Sequence, residues 1–98
     1  MPDITIIYWR DIPAQVIVGS GRRASKVALP ERFEQAIDRA AMRTGAAGSD
    51  AYLADFHKVP SGSEEGEAPD VAAAAAARID TEYDQARLKA LIDNDGRA

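Results

Sequence analysis

The fold turns on residues 3–18, which read Asp3-Ile4-Thr5-Ile6-Ile7-Tyr8-Trp9-Arg10-Asp11-Ile12-Pro13-Ala14-Gln15-Val16-Ile17-Val18. The first eight are rich in β-branched and aromatic side chains, the composition of a strand. Alternation sends Ile4, Ile6 and Tyr8 to one face and Thr5, Ile7 and Trp9 to the other. Both faces are mostly apolar, so the strand is expected to be covered twice, by helices on one side and by helices or a partner on the other. Pro13 cannot donate to a ladder, and Asp11 to Ala14 therefore reads as a break. Gln15 to Val18 is a second short strand ending at Gly19-Ser20-Gly21, and the two strands are expected to pair as an antiparallel hairpin.

Working outward, Gly19 to Ala28 is a polar, basic loop with a short extended stretch at Lys26-Val27. Pro30 stands where a first helical position belongs, with Glu31 favourably placed near a helix N-terminus. Phe33, Ile37, Ala40 and Ala41 recur at helical spacing and Gly45 ends the run, which predicts a helix over 30–44. Ser49 to Leu53 suggests one further helical turn, and Asp55 to Val59 is a candidate third strand. Residues 60–68 have the composition of a mobile linker. From Val71 to Ile92 there is no Gly or Pro and much alanine, which predicts one long helix striped by Val71, Ala75, Ile79, Tyr83, Ala86 and Ala90. Leu88, Leu91 and Ile92 project away from that stripe, so either the helix bends near Arg87 or its end meets a second surface. Gly96 and the residues after it are expected to fray.

The expectation is a small two-layer α+β domain spanning 1–98, an N-terminal antiparallel β-hairpin with a candidate third strand packed on two helices. At 98 residues it has room for one core. The chain holds no cysteine, which excludes disulfides and thiolate chemistry and fits a reducing compartment. Neither a signal peptide nor an apolar run long enough to cross a bilayer is visible, so a cytoplasmic protein is expected. Net charge is −4 and unevenly placed: residues 1–30 carry four basic and two acidic side chains, residues 60–98 four basic and nine acidic. The acidic excess disfavours generic nucleic-acid binding, because it repels a phosphate backbone.

Candidate sites each have a plain counterpart. The loop of Gly19, Gly21, Arg22, Arg23 and Lys26 follows a strand, as phosphate loops do, yet it is no Walker A sequence and the next helix starts too far on to cap the same phosphate. It reads equally as a solvated turn. His57, the only histidine, has Asp55 nearby but no recognised nucleophile, so a surface role competes with that of a general base. The carboxylates at 64, 65, 67 and 70 lack the spacing of a calcium loop. No metal site and no cofactor is expected. The stretch Tyr8, Trp9, Arg10, Asp11 and Gln15 gathers the one tryptophan with polar groups; it is either core plus edge decoration or a recognition corner.

At this stretch a resemblance enters. Residues 8–16, with Pro30-Glu31-Arg32-Phe33-Glu34-Gln35-Ala36-Ile37-Asp38, Ala40-Ala41-Met42 and Ala77-Arg78-Ile79-Asp80-Thr81-Glu82-Tyr83-Asp84, resemble the small bacterial family named virulence factor. The chain is similar to a domain of conserved virulence factor C over nearly its whole length, 60–68 excepted. The name describes a phenotype and implies no activity, and it brings no catalytic or ligand residues. What the resemblance does imply is association with folate- and corrinoid-dependent one-carbon enzymes.

Two functional expectations result. One is a non-enzymatic accessory protein that meets a protein partner or a second copy through Tyr8, Trp9, Arg10, Asp11, Gln15, Leu88, Leu91 and Ile92. The other is a small-ligand or phosphate-binding domain, an enzyme in one version, in which Arg10, Arg22, Arg23, Lys26 and His57 converge on one pocket.

Overall fold

The structure is a computed structural model that describes residues 2–19, 21–45 and 50–98, the side chains of Arg23 and Ala51 excepted. Strands β1 (Asp3–Trp9) and β2 (Ile12–Val18) form the expected antiparallel hairpin, with Ile4 opposite Val18 and Ile6 opposite Val16. Pro13 does not break the run. The register slips where Ile7 faces Gln15 and Tyr8 faces Pro13, so Ala14 is the extra residue of a bulge that tolerates a proline. The turn is the pair Arg10-Asp11 instead, with Arg10 left-handed at φ 54°.

Two more strands complete the sheet. The basic loop contributes β3 (Ser25–Ala28), which pairs with β2, and β4 (Phe56–Ser63) pairs with β1, giving the antiparallel order β3-β2-β1-β4. The candidate third strand thus exists and runs further than expected. It takes in Pro60 to Ser63, and only residues 64–67 of the expected linker lie between elements.

Helix α1 (Glu31–Thr44) follows Pro30 and closes on left-handed Gly45, whose N–H reaches the carbonyls of Ala41 and Met42. A short helix α2 (Asp50–Ala54) stands where a helical turn was expected from Ser49, a residue outside the described ones. The predicted long C-terminal helix is two helices, α3 (Ala68–Glu82) and α4 (Gln85–Asp93). Arg32 of α1 explains the break. Its guanidinium donates to the carbonyls of Asp80 (2.7 Å) and Tyr83 (2.8 Å) and pairs with the Asp80 carboxylate. Those carbonyls would otherwise accept from residues 84 and 87 of a continuing helix. Asp84 then caps α4, its carboxylate accepting from the Arg87 N–H at 2.8 Å.

The break re-aims the apolar residues. In α3, Val71, Ala72, Ala75, Ala76 and Ile79 are buried over the inner face of the sheet, which presents Ile4, Ile6, Val16 and Val18. Alanine at these positions and at 36, 40 and 41 of α1 lets the helices sit close to it. In α4 the expected stripe residues Ala86 and Ala90 are exposed, while Leu88 and Leu91 are buried. The end of the chain does not fray. The Gly96 N–H donates to Leu91 at 2.7 Å, the Gly96 carbonyl accepts from Asp11 N–H at 2.8 Å, and the Ala98 N–H donates to the Asp11 carboxylate at 2.6 Å.

Candidate functional site

All the long helices pack on one face of the sheet, so the recognition residues expected from sequence are split between two sides. Trp9 is fully buried, and its indole N–H donates to the Tyr52 carbonyl at 2.8 Å. Arg10 lies over the Trp9 ring, 4.8 Å from its centroid, and is spent on the Asp55 carboxylate (3.0 Å) and the Asp95 carbonyl (2.6 Å). Tyr8 stacks on His57 with centroids 5.9 Å apart. Burial first, and then neighbouring Tyr83, push the Tyr8 phenol above its ordinary pKa, so it is a neutral hydroxyl at physiological pH. Tyr8, Arg10, Asp11, His57 and Leu91 all line one cavity of about 290 Å³ at the hairpin's turn end. Arg87 completes it, lying 3.8 Å over the Tyr83 ring.

The rest of the expected interaction set lies elsewhere. Leu88 and Leu91 are 4% and 5% exposed and belong to this chain's own core, with Ile92 half-buried beside them. Their off-stripe positions are explained by the break at Tyr83-Asp84, without a second molecule. Gln15 is on the opposite side of the sheet, in a groove with Ile7, Phe56 and Lys58.

The convergence expected of a phosphate pocket does not occur with the residues named for it. Arg10 and His57 line the turn-end cavity, Lys26 lines a different one, and Arg22 is exposed on the 3-10 turn Gly21–Arg23. Ser20 and the Arg23 side chain lie outside the described residues.

What sequence reasoning missed is the outer face of the sheet. Opposite the helices stand Thr5 and Ile7 from β1, Gln15 and Ile17 from β2, Lys26 from β3 and Lys58 from β4, in pairs fixed by the register: Thr5 with Ile17, Ile7 with Gln15 and Lys58, Ile17 with Lys26. Thr5, Ile7, Gln15 and Ile17 are half-exposed and both lysines are exposed. The apolar second face of β1 is the signal available in the sequence, but it reads as a covered face. Lys58 gave no such signal, because only the long-range pairing of β4 with β1 brings it there.

Among the described residues no three His, Cys, Asp or Glu side chains gather as a metal site, and no helix is long and apolar enough to cross a membrane. The fold and these surfaces define a small α+β domain, one antiparallel sheet whose long helices, among the described residues, are layered on a single side. The chain belongs to the virulence factor family: the family model described as "Virulence factor" matches residues 7–92, from mid-β1 into the last turn of α4. The segments that carried the resemblance all fall within that span. No curated protein and no solved structure matches the chain.

Proposed function

We propose that the protein is a non-enzymatic docking module that binds an acidic surface of a partner protein with the outer face of its sheet. The observation that carries this reading is the half-buried pair Ile7 and Ile17, two large aliphatic side chains that water still reaches on a face that none of the described long helices packs against. Sheet faces open to water ordinarily alternate to polar side chains there. Lys26 and Lys58 flank the aliphatic strip and belong to none of the ion pairs among the described residues. They favour a carboxylate-bearing occupant.

A second copy fits less well. The chain's acidic excess lies in residues 60–98, most of which belong to α3 and α4 in the helix layer, so a copy matching charge would stack head to tail and not close into a dimer. Four strands about 4.8 Å apart and about 23 Å long give a face on the order of 400 Å², half of a standard interface per partner. Binding should accordingly be transient, with Kd in the micromolar range. The family resemblance directs the first tests at folate- and corrinoid-dependent one-carbon enzymes.

The experiment measures binding of the purified chain to such enzymes by interferometry across salt concentrations. Ile7→Asp and Ile17→Asp should each weaken binding at least about tenfold. The double variant Lys26→Glu, Lys58→Glu should mainly slow association and flatten the salt dependence. Equal affinity for wild type and all outer-face variants would remove the reading. So would concentration-dependent self-association abolished by Ile17→Asp, which would make the occupant a second copy.

A further inference from the structure

The loop side of the same outer face holds a cleft of about 270 Å³ whose lining has no carboxylate. Its walls are Lys26 and Lys58, its floor is Thr5 and Ile17, and its rim is the backbone at Gly19 and Gly21. We propose that this cleft binds a phosphate group carried by a small molecule.

Geometry comes first. Lys26 stands on β3 and Lys58 on β4, at opposite edges of the sheet, with β2 and β1 between them. Lys58 stands level with Ile7, two residues along from the row of Lys26, Ile17 and Thr5, so three strand spacings and that offset put the two backbones about 16 Å apart. Two lysine side chains leaning over Ile17 and Thr5 close that gap from either side, because both line one cavity. Two opposed ammonium groups suit a tetrahedral dianion, which offers oxygens in both directions. Thr5 supplies a hydroxyl donor between them, and glycines at the rim leave the cleft open above.

Electrostatics point the same way. In a chain of net charge −4, two lysines share a cavity with no acidic side chain in its lining and with neither of them in an ion pair among the described residues. The one acid on this side of β1 is Asp3, exposed at the strand's start and outside the lining. The volume falls just below the usual range for drug-sized ligands, which fits a phosphate and its immediate linkage with the rest of the molecule over the sheet.

Phosphate binding here needs no protein partner, so it stands or falls separately from docking. The test is a titration of the isotope-labelled full chain by amide NMR, with inorganic phosphate in one arm and a nucleoside monophosphate in the other, ionic strength held constant. Saturable shifts at Thr5, Ile17 and the 19–26 backbone are expected in the nucleotide arm. If inorganic phosphate saturates the same amides equally well, the free anion suffices and the small-molecule assignment is overturned. Lys26→Ala and Lys58→Ala should each weaken binding about tenfold or more, with circular dichroism unchanged. Ile7→Ala, which trims the docking strip without setting a charge opposite Lys58, should leave the titration intact. Shifts matched by chloride at equal ionic strength, or unaltered by either lysine substitution, would overturn the site altogether.

Discussion

Gly96 lies flat against the indole of Trp9, so close that a Cβ at position 96 would stand 2.8 Å from Cζ3 of the ring. The same backbone is left-handed, at φ 83°, and a Cβ there would also meet Arg10 Cδ at 3.3 Å. Because the Gly96 carbonyl and N–H tie to Asp11 and Leu91, this contact clamps the chain's last turn over the hairpin turn. The clamp covers one edge of the Trp9 ring, which is fully buried.

Gly96→Ala should therefore cost about 3 kcal/mol, the sum of a left-handed alanine and an overpacked ring. Gly62→Ala isolates the first term. Gly62 has a similar φ of 86° with nothing near its absent Cβ, and its substitution should cost only about 1 kcal/mol. Urea unfolding midpoints measure both. Equal losses at the two positions would show that Trp9 yields without resistance.

Arg32 makes the second prediction. Its contacts with Asp80 and the Tyr83 carbonyl hold the α3–α4 break, and the side chain also stacks on Phe33 at 4.6 Å. Arg32→Ala should cost about 2 kcal/mol, since two carbonyls lose a charged donor. Arg32→Lys should recover less than half, because a point charge cannot fork between two acceptors. Hydrogen exchange should locate the loss: amides of 84–88 lose protection before those of α1. Uniform loss across the domain would remove Arg32's special role at the break.

The hairpin, the first helix and the α+β class were legible in the sequence because they rest on local signals. Alternation in residues 3–9, Pro30 and Gly45 each act over a few positions. What escaped depends on distant partners. Pro60-Ser61-Gly62-Ser63 has linker composition and becomes strand only because β1 offers its second edge. The local signal for a break at Tyr83 is the capping Asp84 alone; the partner that takes up the freed carbonyls is Arg32, 51 residues away. The site was half visible for the same reason. The second apolar face of β1 was legible, though as a face to be covered by helices or a partner, and the cations beside it come from β3 and β4.

Leu91 tests the reassigned core. Leu91→Asp should unfold the domain rather than spare it, since burying an unpaired carboxylate where the side chain is 5% exposed costs more than about 4 kcal/mol. A domain of this size is stable by roughly 5–10 kcal/mol. Leu91→Met, which keeps the volume, should cost less than about 1.5 kcal/mol. Far-ultraviolet circular dichroism decides between them, and a fully folded Leu91→Asp protein would return this residue to the surface.

The alkaline limb of stability should report Tyr8. Burial, then Tyr83, raises its pKa, while burial, then Asp38, raises that of Tyr52. A raised folded pKa means the neutral phenol is favoured on folding, so its contribution is complete below the ordinary tyrosine value near 10 and is lost as pH climbs through the folded value. Absorbance at the phenolate band should show two tyrosines ionising late. In Tyr8→Phe one late step should vanish and the alkaline fall in stability become shallower. Ionisation of Tyr8 at the unperturbed value would contradict its burial.

The two faces of β2 offer the sharpest stability contrast, because adjacent residues experience opposite environments. Val16 is fully buried beneath α3, and Ile17 is half-exposed on the open face. Val16→Thr keeps the shape but places a hydroxyl where no water reaches, which should cost about 2 kcal/mol. Ile17→Thr removes aliphatic surface that water already touches, so about 0.5 kcal/mol is expected, and threonine's strand preference offsets part of it. Chemical denaturation with unchanged m-values gives both numbers. If Ile17→Thr cost as much as Val16→Thr, something within the chain would have to cover the outer face, and the surface available for docking would disappear with it.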